Sequence, residues 1–343
     1  VASIVLRGIS QVYLCNNPLT GVFICAGLYV TDPQLLVYAL VGTVCATLGA
    51  SLLCLPASTE IVSGLTGYDG ALIGCAVASF IAPGHAMAEG YGPLSGSLRS
   101  RGTVITAVLS ALAGLLHMSC RHACSLPALT LSFNICMLGF LLTLTDNRSD
   151  LTELGWGAWD DEYSPDDGVD PTWIEADLSF FHDATIRGVG QFMFVGNTVG
   201  AWLVVIGIAV TSRRAACAAV LGSFVACVTC RYLFDLPPSG LVAVHNGLYG
   251  YCAAGACVAM GGGVFYQDSV PALFIGMVGA MLAVFIHLAV EAALINDNLS
   301  LPALTIPFVI STWLMMLSRS AWLDPKTEDG EDMDDVLFKN KNR

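Results

Sequence analysis

The first lysine of this 343-residue chain is Lys326, and most of what precedes it is a succession of apolar runs. A helix needs about 20 apolar residues to cross a bilayer, or somewhat fewer where its ends lie against protein. The longer runs are Gln34–Leu53, Val104–Met118, Ala128–Thr145, Ala216–Leu233, Pro271–Val290 and Ala303–Leu317. Shorter ones are Gly21–Val30, Ala71–Ala82, Ala201–Val210 and Cys252–Phe265. Together they predict about ten crossings, split evenly around the stretch from Asp146 to Asp183. Charged residues make up 12% of the chain, against about 25% in soluble domains. So apolar a surface cannot be kept in water.

The net charge of −13 looks like a signal for a basic partner until the acids are located. Of the 27 Asp and Glu, 12 fall from Asp146 to Asp183 and 7 from Asp324 to Asp335. They mark two solvated segments, and nothing points to nucleic acid. Cysteines such as Cys25, Cys45, Cys75, Cys217 and Cys257 stand singly along apolar runs, where Cys acts as a small hydrophobe, so no disulfide framework is expected. Val1 already lies in an apolar stretch, with no cleavable signal peptide in view, and a cytoplasmic segment upstream is expected.

Internal repetition organises the rest. Leu6-Arg7-Gly8-Ile9-Ser10-Gln11 recurs as Ile186-Arg187-Gly188-Val189-Gly190-Gln191 at an offset of 180. Gly64-Leu65-Thr66-Gly67-Tyr68 recurs as Gly247-Leu248-Tyr249-Gly250-Tyr251 at 183, and Leu126-Pro127-Ala128-Leu129-Thr130 recurs unchanged from Leu301 to Thr305 at 175. Five crossings per half, an odd number, would bring the second half in from the opposite face. That is the inverted repeat of many transporters, whose substrate sites lie at the repeat interface near midplane.

The reading is therefore an all-α integral membrane protein of two inverted repeats, each about five crossings plus one re-entrant half-helix. Residues 1–145 form the first repeat, 146–180 an acidic extracellular linker, 181–320 the second repeat and 321–343 a cytoplasmic tail. Orientation follows from the basic residues. With the N-terminus inside, Arg121, Arg213, Arg214, Arg319, Lys326, Lys339, Lys341 and Arg343 are cytoplasmic, against Arg99, Arg101, Arg148 and Arg231 outside. Asn147-Arg148-Ser149 then forms an accessible glycosylation sequon on the linker.

Each half opens with a segment too short to cross. Ser3–Cys15 breaks at Asn16-Asn17-Pro18, and Thr185–Val195 breaks at Gly196-Asn197-Thr198. Pro disfavours helix at the residue before it, so the first segment is expected to end near midplane. There its last carbonyls lack intrahelical partners, a state tolerated at membrane depth only beside protein or a wet cavity. Gln11 and Gln191 add an amide oxygen at each end. The result is two opposed rows of neutral acceptors, suited to a solute rich in N–H. Thr130 and Thr305 stand at matching places near the starts of later helices; a lone threonine there would bond back to its own helix, but two copies point to a shared central site. Arg7 and Arg187 are ionisable groups at membrane depth, suspects by default, with a bond to a loop carbonyl as the favoured structural role.

These segments, namely Leu6–Gly21, Gly67–Gly74 and Leu126–Asn134 with their second-half echoes, resemble the urea transporter family over nearly the whole chain. The resemblance implies a homotrimer in the plasma membrane, each protomer with its own narrow pore, conducting urea down its gradient with no cofactor. Gln11 and Gln191 are then ladder glutamines, and Thr130 and Thr305 the central threonines. Val12, Leu14, Tyr68 and Leu72 are slot walls in the first half; Phe192, Phe194 and Tyr251 are those of the second. The chain departs from the family pattern at Leu14, where Phe is usual, at Thr198 in place of Pro, at Cys252 after Tyr251, and at Gly255, which stands opposite Leu72 where another Leu is usual. Glycine at 255 is expected to leave the slot loose on one side and admit methylurea or acetamide.

Two other readings compete. A pore of this kind could pass another small neutral solute, such as an amide, ammonia or water. A membrane enzyme would need a site, and the best group is His117, Cys120, His122 and Cys124 on a short cytoplasmic loop, with metal-ligand residue types in none of the usual paired spacings. His287 and Glu291, four apart on a helix, could relay protons or close a helix end.

Overall fold

Helix starts are written into the sequence by caps. Asn17 and Asp32 accept the backbone N–H of Leu19 and Gln34 and are each followed by proline at the first helical position, the arrangement that satisfies an orphan donor and pre-sets φ. Asn197, Ser212 and Ser269 likewise accept the backbone N–H of Gly200, Ala215 and Ala272, without a proline directly after the cap. The computed structural model describes residues 1–53, 58–80, 96–124, 126–145, 178–234, 236, 238–296 and 299–318. Asn147, most of the acidic linker and the tail 321–343 lie outside them.

In order, the helices of the first half are α1 (Ala2–Gln11), α2 (Pro18–Thr31), α3 (Pro33–Ala50), the single turn α4 (Thr59–Val62), α5 (Tyr68–Phe80), α6 (Gly96–Ala123) and α7 (Leu131–Thr145). The second half follows with α8 (Leu178–Gln191), α9 (Thr198–Thr211), α10 (Arg213–Val228) running into a π-helical turn (Thr229–Leu233), α11 (Pro238–His245), α12 (Gly250–Gly261), α13 (Val270–Leu294) and α14 (Ile306–Leu317). A two-residue antiparallel ribbon, Ile295–Asn296 with Leu299–Ser300, follows α13. The protein is all-helical apart from that ribbon among the described residues.

The ten predicted apolar runs reappear as ten apolar helices. Among the described residues four are long enough to cross a membrane alone: α3, α6 from Arg101, α10 with its π-helical turn, and α13. The six shorter ones are α2, α5, α7, α9, α12 and α14. Two of these sit innermost: nearly every residue of α5 and α12 is buried, so their ends meet protein. The long helices turn Val37, Val44, Leu48, Val104, Val108, Phe274 and Phe285 outward, an apolar belt that suits lipid and no aqueous surface.

Backbone features also come in pairs. Non-glycine residues with positive φ, among those described, are Leu14 (57°), Phe194 (61°), Leu129 (47°) and Leu304 (47°). Gly64 and Gly247 adopt φ of 77° and 80°, and a Cβ on either would fall 2.4 Å from the backbone nitrogen of Gly8 or of Gly188. Helices α2 and α9 pack antiparallel: the Thr20 hydroxyl donates to the Gly207 carbonyl at 2.6 Å, while Gly27 and Gly200 approach so closely that an added Cβ on either meets the other's oxygen at 2.8 Å. At an offset of 180, Thr20 corresponds to Gly200 and Gly27 to Gly207, so this contact maps onto itself.

Several boundaries differ from the sequence reading; α6, for one, starts at Gly96, ahead of Val104. Helix α8 begins at Leu178, ahead of Thr185, and α6 runs on through His117 to Ala123 where a short loop was expected. No Gly or Pro occurs from Leu115 to Cys124 to stop it.

Candidate functional site

Helix α1 spans ten residues, about 15 Å at 1.5 Å per residue, and stops at Gln11. Its end is closed by a turn in which Leu14 adopts the left-handed conformation, the Cys15 N–H reaches the Ser10 carbonyl at 3.2 Å and the Leu14 N–H that of Gln11 at 2.9 Å. Helix α8 ends the same way: Val195 N–H to Gly190 at 3.1 Å, Phe194 N–H to Gln191 at 3.0 Å. The expectation of wholly unpaired carbonyls is thus corrected at Ser10, Gln11, Gly190 and Gln191, because a Schellman-type turn folds the chain back onto them. The left-handed conformation costs a leucine or phenylalanine about 1–2 kcal/mol, and such strain collects where function fixes the backbone.

The two glutamines are oriented alike. Gln11 Nε2 donates to the Ser63 carbonyl at 3.2 Å and Gln191 Nε2 to the Asn246 carbonyl at 3.0 Å. With the amide nitrogen committed to a carbonyl, the acceptor oxygen is the free end. Gln11 lines a cavity of about 580 Å³ together with Leu14, Glu60, Arg121, Ser212 and Asp268. The arginines staple each turn: Arg7 donates to Asn16 Oδ1 at 2.5 Å, and Arg187 to Thr198 Oγ1 and Asn246 Oδ1 at 3.1 Å each. Arg7 also reaches the Asn16 carbonyl at 3.4 Å, the structural role favoured from sequence.

Thr130 and Thr305 meet. Their Oγ1 atoms are 2.7 Å apart, both residues buried, each preceded by a left-handed leucine. Tyr68 donates its hydroxyl to the Leu129 carbonyl, and Tyr251 donates to that of Leu304 at 2.6 Å. Each tyrosine therefore pins the strained residue before a threonine. Asn134, which repeat matching passed over because its counterpart is Val309, bonds both threonine residues at 2.8 to 3.2 Å. A buried amide in an apolar helix was the available signal.

Among the wall residues, Val12, Leu72 and Phe192 are fully buried, whereas Leu14, Phe194 and Tyr251 are partly exposed. Phe192 stands edge-on to Phe308 at 5.2 Å, Phe194 edge-on to Phe80 at 5.6 Å, and Tyr13 lies 5.7 Å from Phe192. Gly255 corrects the sequence reading. A Cβ there would meet Phe192 at 2.8 Å and Phe308 at 2.9 Å, so the space ascribed to a loose slot is filled by two rings. Val12 with Leu72 and Phe192 with Gly255 are the same two positions with large and small exchanged.

Around this frame the halves diverge. Asp69 is buried and reaches His117 Nδ1 at 3.0 Å and the Phe133 N–H at 3.3 Å. At the equivalent of Asp69 stands Cys252, whose thiol lies 3.5 Å from the Leu304 carbonyl. His287 lies against the rings of Tyr249 and Tyr251, at 5.0 and 5.6 Å, with its Nδ1 buried and unbonded, and Glu291 accepts the Tyr249 hydroxyl at 2.8 Å. No three His, Cys, Asp or Glu side chains gather as metal ligands among the described residues.

Neutral acceptors and aromatic faces inside an apolar helical bundle define a membrane transport protein. The chain matches the urea transporter family over residues 2–320 and belongs to it. It is 28% identical to urea transporter 1 of Rattus norvegicus over 318 residues and 27% identical to urea transporter 1 of Capra hircus over 323. Both alignments cover 91% of this chain and 76% of the relative. The family consists of transporters rather than enzymes.

Proposed function

We propose that this chain conducts urea across the membrane by facilitated diffusion, down its gradient and without a cofactor, through a pore in each protomer of a homotrimer. One observation carries the reading: Gln11 and Gln191, on matched broken helices, both hold their amide nitrogens on loop carbonyls 3.0 to 3.2 Å away, leaving the oxygens as acceptors. The path runs from Gln11 past the Thr130–Thr305 pair to Gln191, with Val12, Leu14, Tyr68, Leu72, Phe192, Phe194 and Tyr251 as its apolar sides. Urea offers four N–H groups and one carbonyl, which neutral acceptors and two hydroxyls can serve in turn. A selectivity path of this kind works by its width and its acceptors.

The halves, residues 1–145 and 181–320, are inverted repeats. The antiparallel packing of the matched helices α2 and α9 supports this, since equivalent spans running in opposite directions is what inversion means. Orientation with the N-terminus inside puts Glu60, Arg121, Ser212 and Asp268 on one face, and these residues line one cavity; that cavity is the cytoplasmic mouth. The acidic linker 146–180 then lies outside, where Asn147 accepts glycan in a eukaryotic secretory pathway, with the tail 321–343 in the cytoplasm of a plasma-membrane protein.

Stopped-flow urea flux of Gln11→Leu and Gln191→Leu tests the reading. Stranding a dehydrated donor costs about 1–3 kcal/mol, so each variant is expected to slow urea about tenfold or more. Unchanged flux in both, at normal amounts of folded protein, overturns it.

A further inference from the structure

Asn134 lies one helical turn beyond Thr130 on α7, buried, with both N–H groups and the oxygen of its amide engaged. Its Nδ2 donates to the Thr130 carbonyl at 2.8 Å and to Thr305 Oγ1 at 3.0 Å. Its Oδ1 accepts the Thr305 N–H at 3.0 Å and lies 3.2 Å from Thr305 Oγ1. Val309 occupies the same place relative to Thr305 and has no such group to offer Thr130.

A hydroxyl has one donor and two acceptor sites. Among the described residues, Thr130 Oγ1 uses one of its three on Thr305. Thr305 Oγ1 uses one on Thr130 and one or two on Asn134. This count holds whichever hydroxyl donates across the 2.7 Å contact. When a solute breaks that contact, Thr130 has all three sites free and Thr305 is still tied.

We propose that Asn134 is a positioning residue that makes the two sequence-matched threonines unequal. It holds the Thr305 hydroxyl and backbone as a fixed part of the frame, and it leaves Thr130 as the hydroxyl that exchanges hydrogen bonds with the passing solute. Thr130 can accept a urea N–H and, by turning, donate to the urea carbonyl. Thr305 cannot turn without giving up its amide partner. The proposal rests on the reading that the threonine pair lies on the urea path.

The test is urea flux by stopped-flow light scattering in vesicles, per unit of folded protein, for Thr130→Val and Thr305→Val alone and in two backgrounds. In the wild-type background Thr130→Val is expected to slow urea about tenfold, and Thr305→Val by less than about threefold. Val309→Asn gives Thr130 the tie that Thr305 already has; it should slow urea by itself, and Thr130→Val should then add little. Asn134→Leu frees Thr305, so Thr305→Val should matter more there than in the wild type. A general loss of packing would not redistribute effects between two threonines in this way. Equal slowing by the two valine variants in the wild-type background overturns the proposal even if neither altered background folds. No slowing by either overturns the conduction path itself, a distinguishable result.

Discussion

The two halves of this protein share a backbone and differ in what packs around it. Leu14 and Phe194, Leu129 and Leu304, and Gly64 and Gly247 adopt matched left-handed conformations, and Gln11 and Gln191 make matched bonds. Yet Asp69 and His117 pair in the first half while Cys252 and an unbonded His287 nitrogen stand in the second. The duplicated features are those that place acceptors and hydroxyls; the differing ones are wall residues, such as Val12 against Phe192, and groups packed around the frame, such as Asp69 against Cys252. At the pairs Val12–Leu72 and Phe192–Gly255 both neighbours differ together, large against small.

The largest effect should come from breaking the buried pair. His117→Leu leaves the Asp69 carboxyl with only the Phe133 N–H, and removing one partner of a buried pair costs about 3–5 kcal/mol. His287→Leu, by contrast, removes a ring whose Nδ1 has no bond and should be markedly less destabilising. Thermal unfolding in detergent checks this; equal losses of stability would erase the contrast between the halves.

Size exchange comes next. Gly255→Leu drives a side chain into Phe192 and Phe308, and overpacking typically costs about 1–3 kcal/mol. Adding Phe192→Val reproduces the Val12–Leu72 arrangement of the first half and should recover most of the loss. Yield of monodisperse protein on size exclusion reads both. A Gly255→Leu variant as well behaved as the wild type would restore the loose slot read from sequence.

Much of this was legible before any coordinates. Hydropathy places the crossings because a span must be apolar along its length, and the repeats locate α1 and α8 because identical strained turns demand similar residues. Gly255 was not legible: the rings filling its space come from Phe192 and Phe308, each more than fifty residues away. His117 falls within the run Val104–Met118, but its pairing was not legible because its partner, Asp69, lies 48 residues earlier. Asn134 escaped because a search for matched pairs discards what occurs once, and here the singular residue is the one that touches both threonines.

The most direct measurement is urea entry into vesicles holding the purified protein, with and without imposed Na⁺ and pH gradients. Charged groups stand at the mouth, but the proposed stretch between Gln11 and Gln191 offers a solute glutamine, threonine and apolar side chains, so uptake should follow the urea gradient alone and be unchanged by either ion gradient. Uptake that collapses when an ion gradient is removed would contradict the channel account.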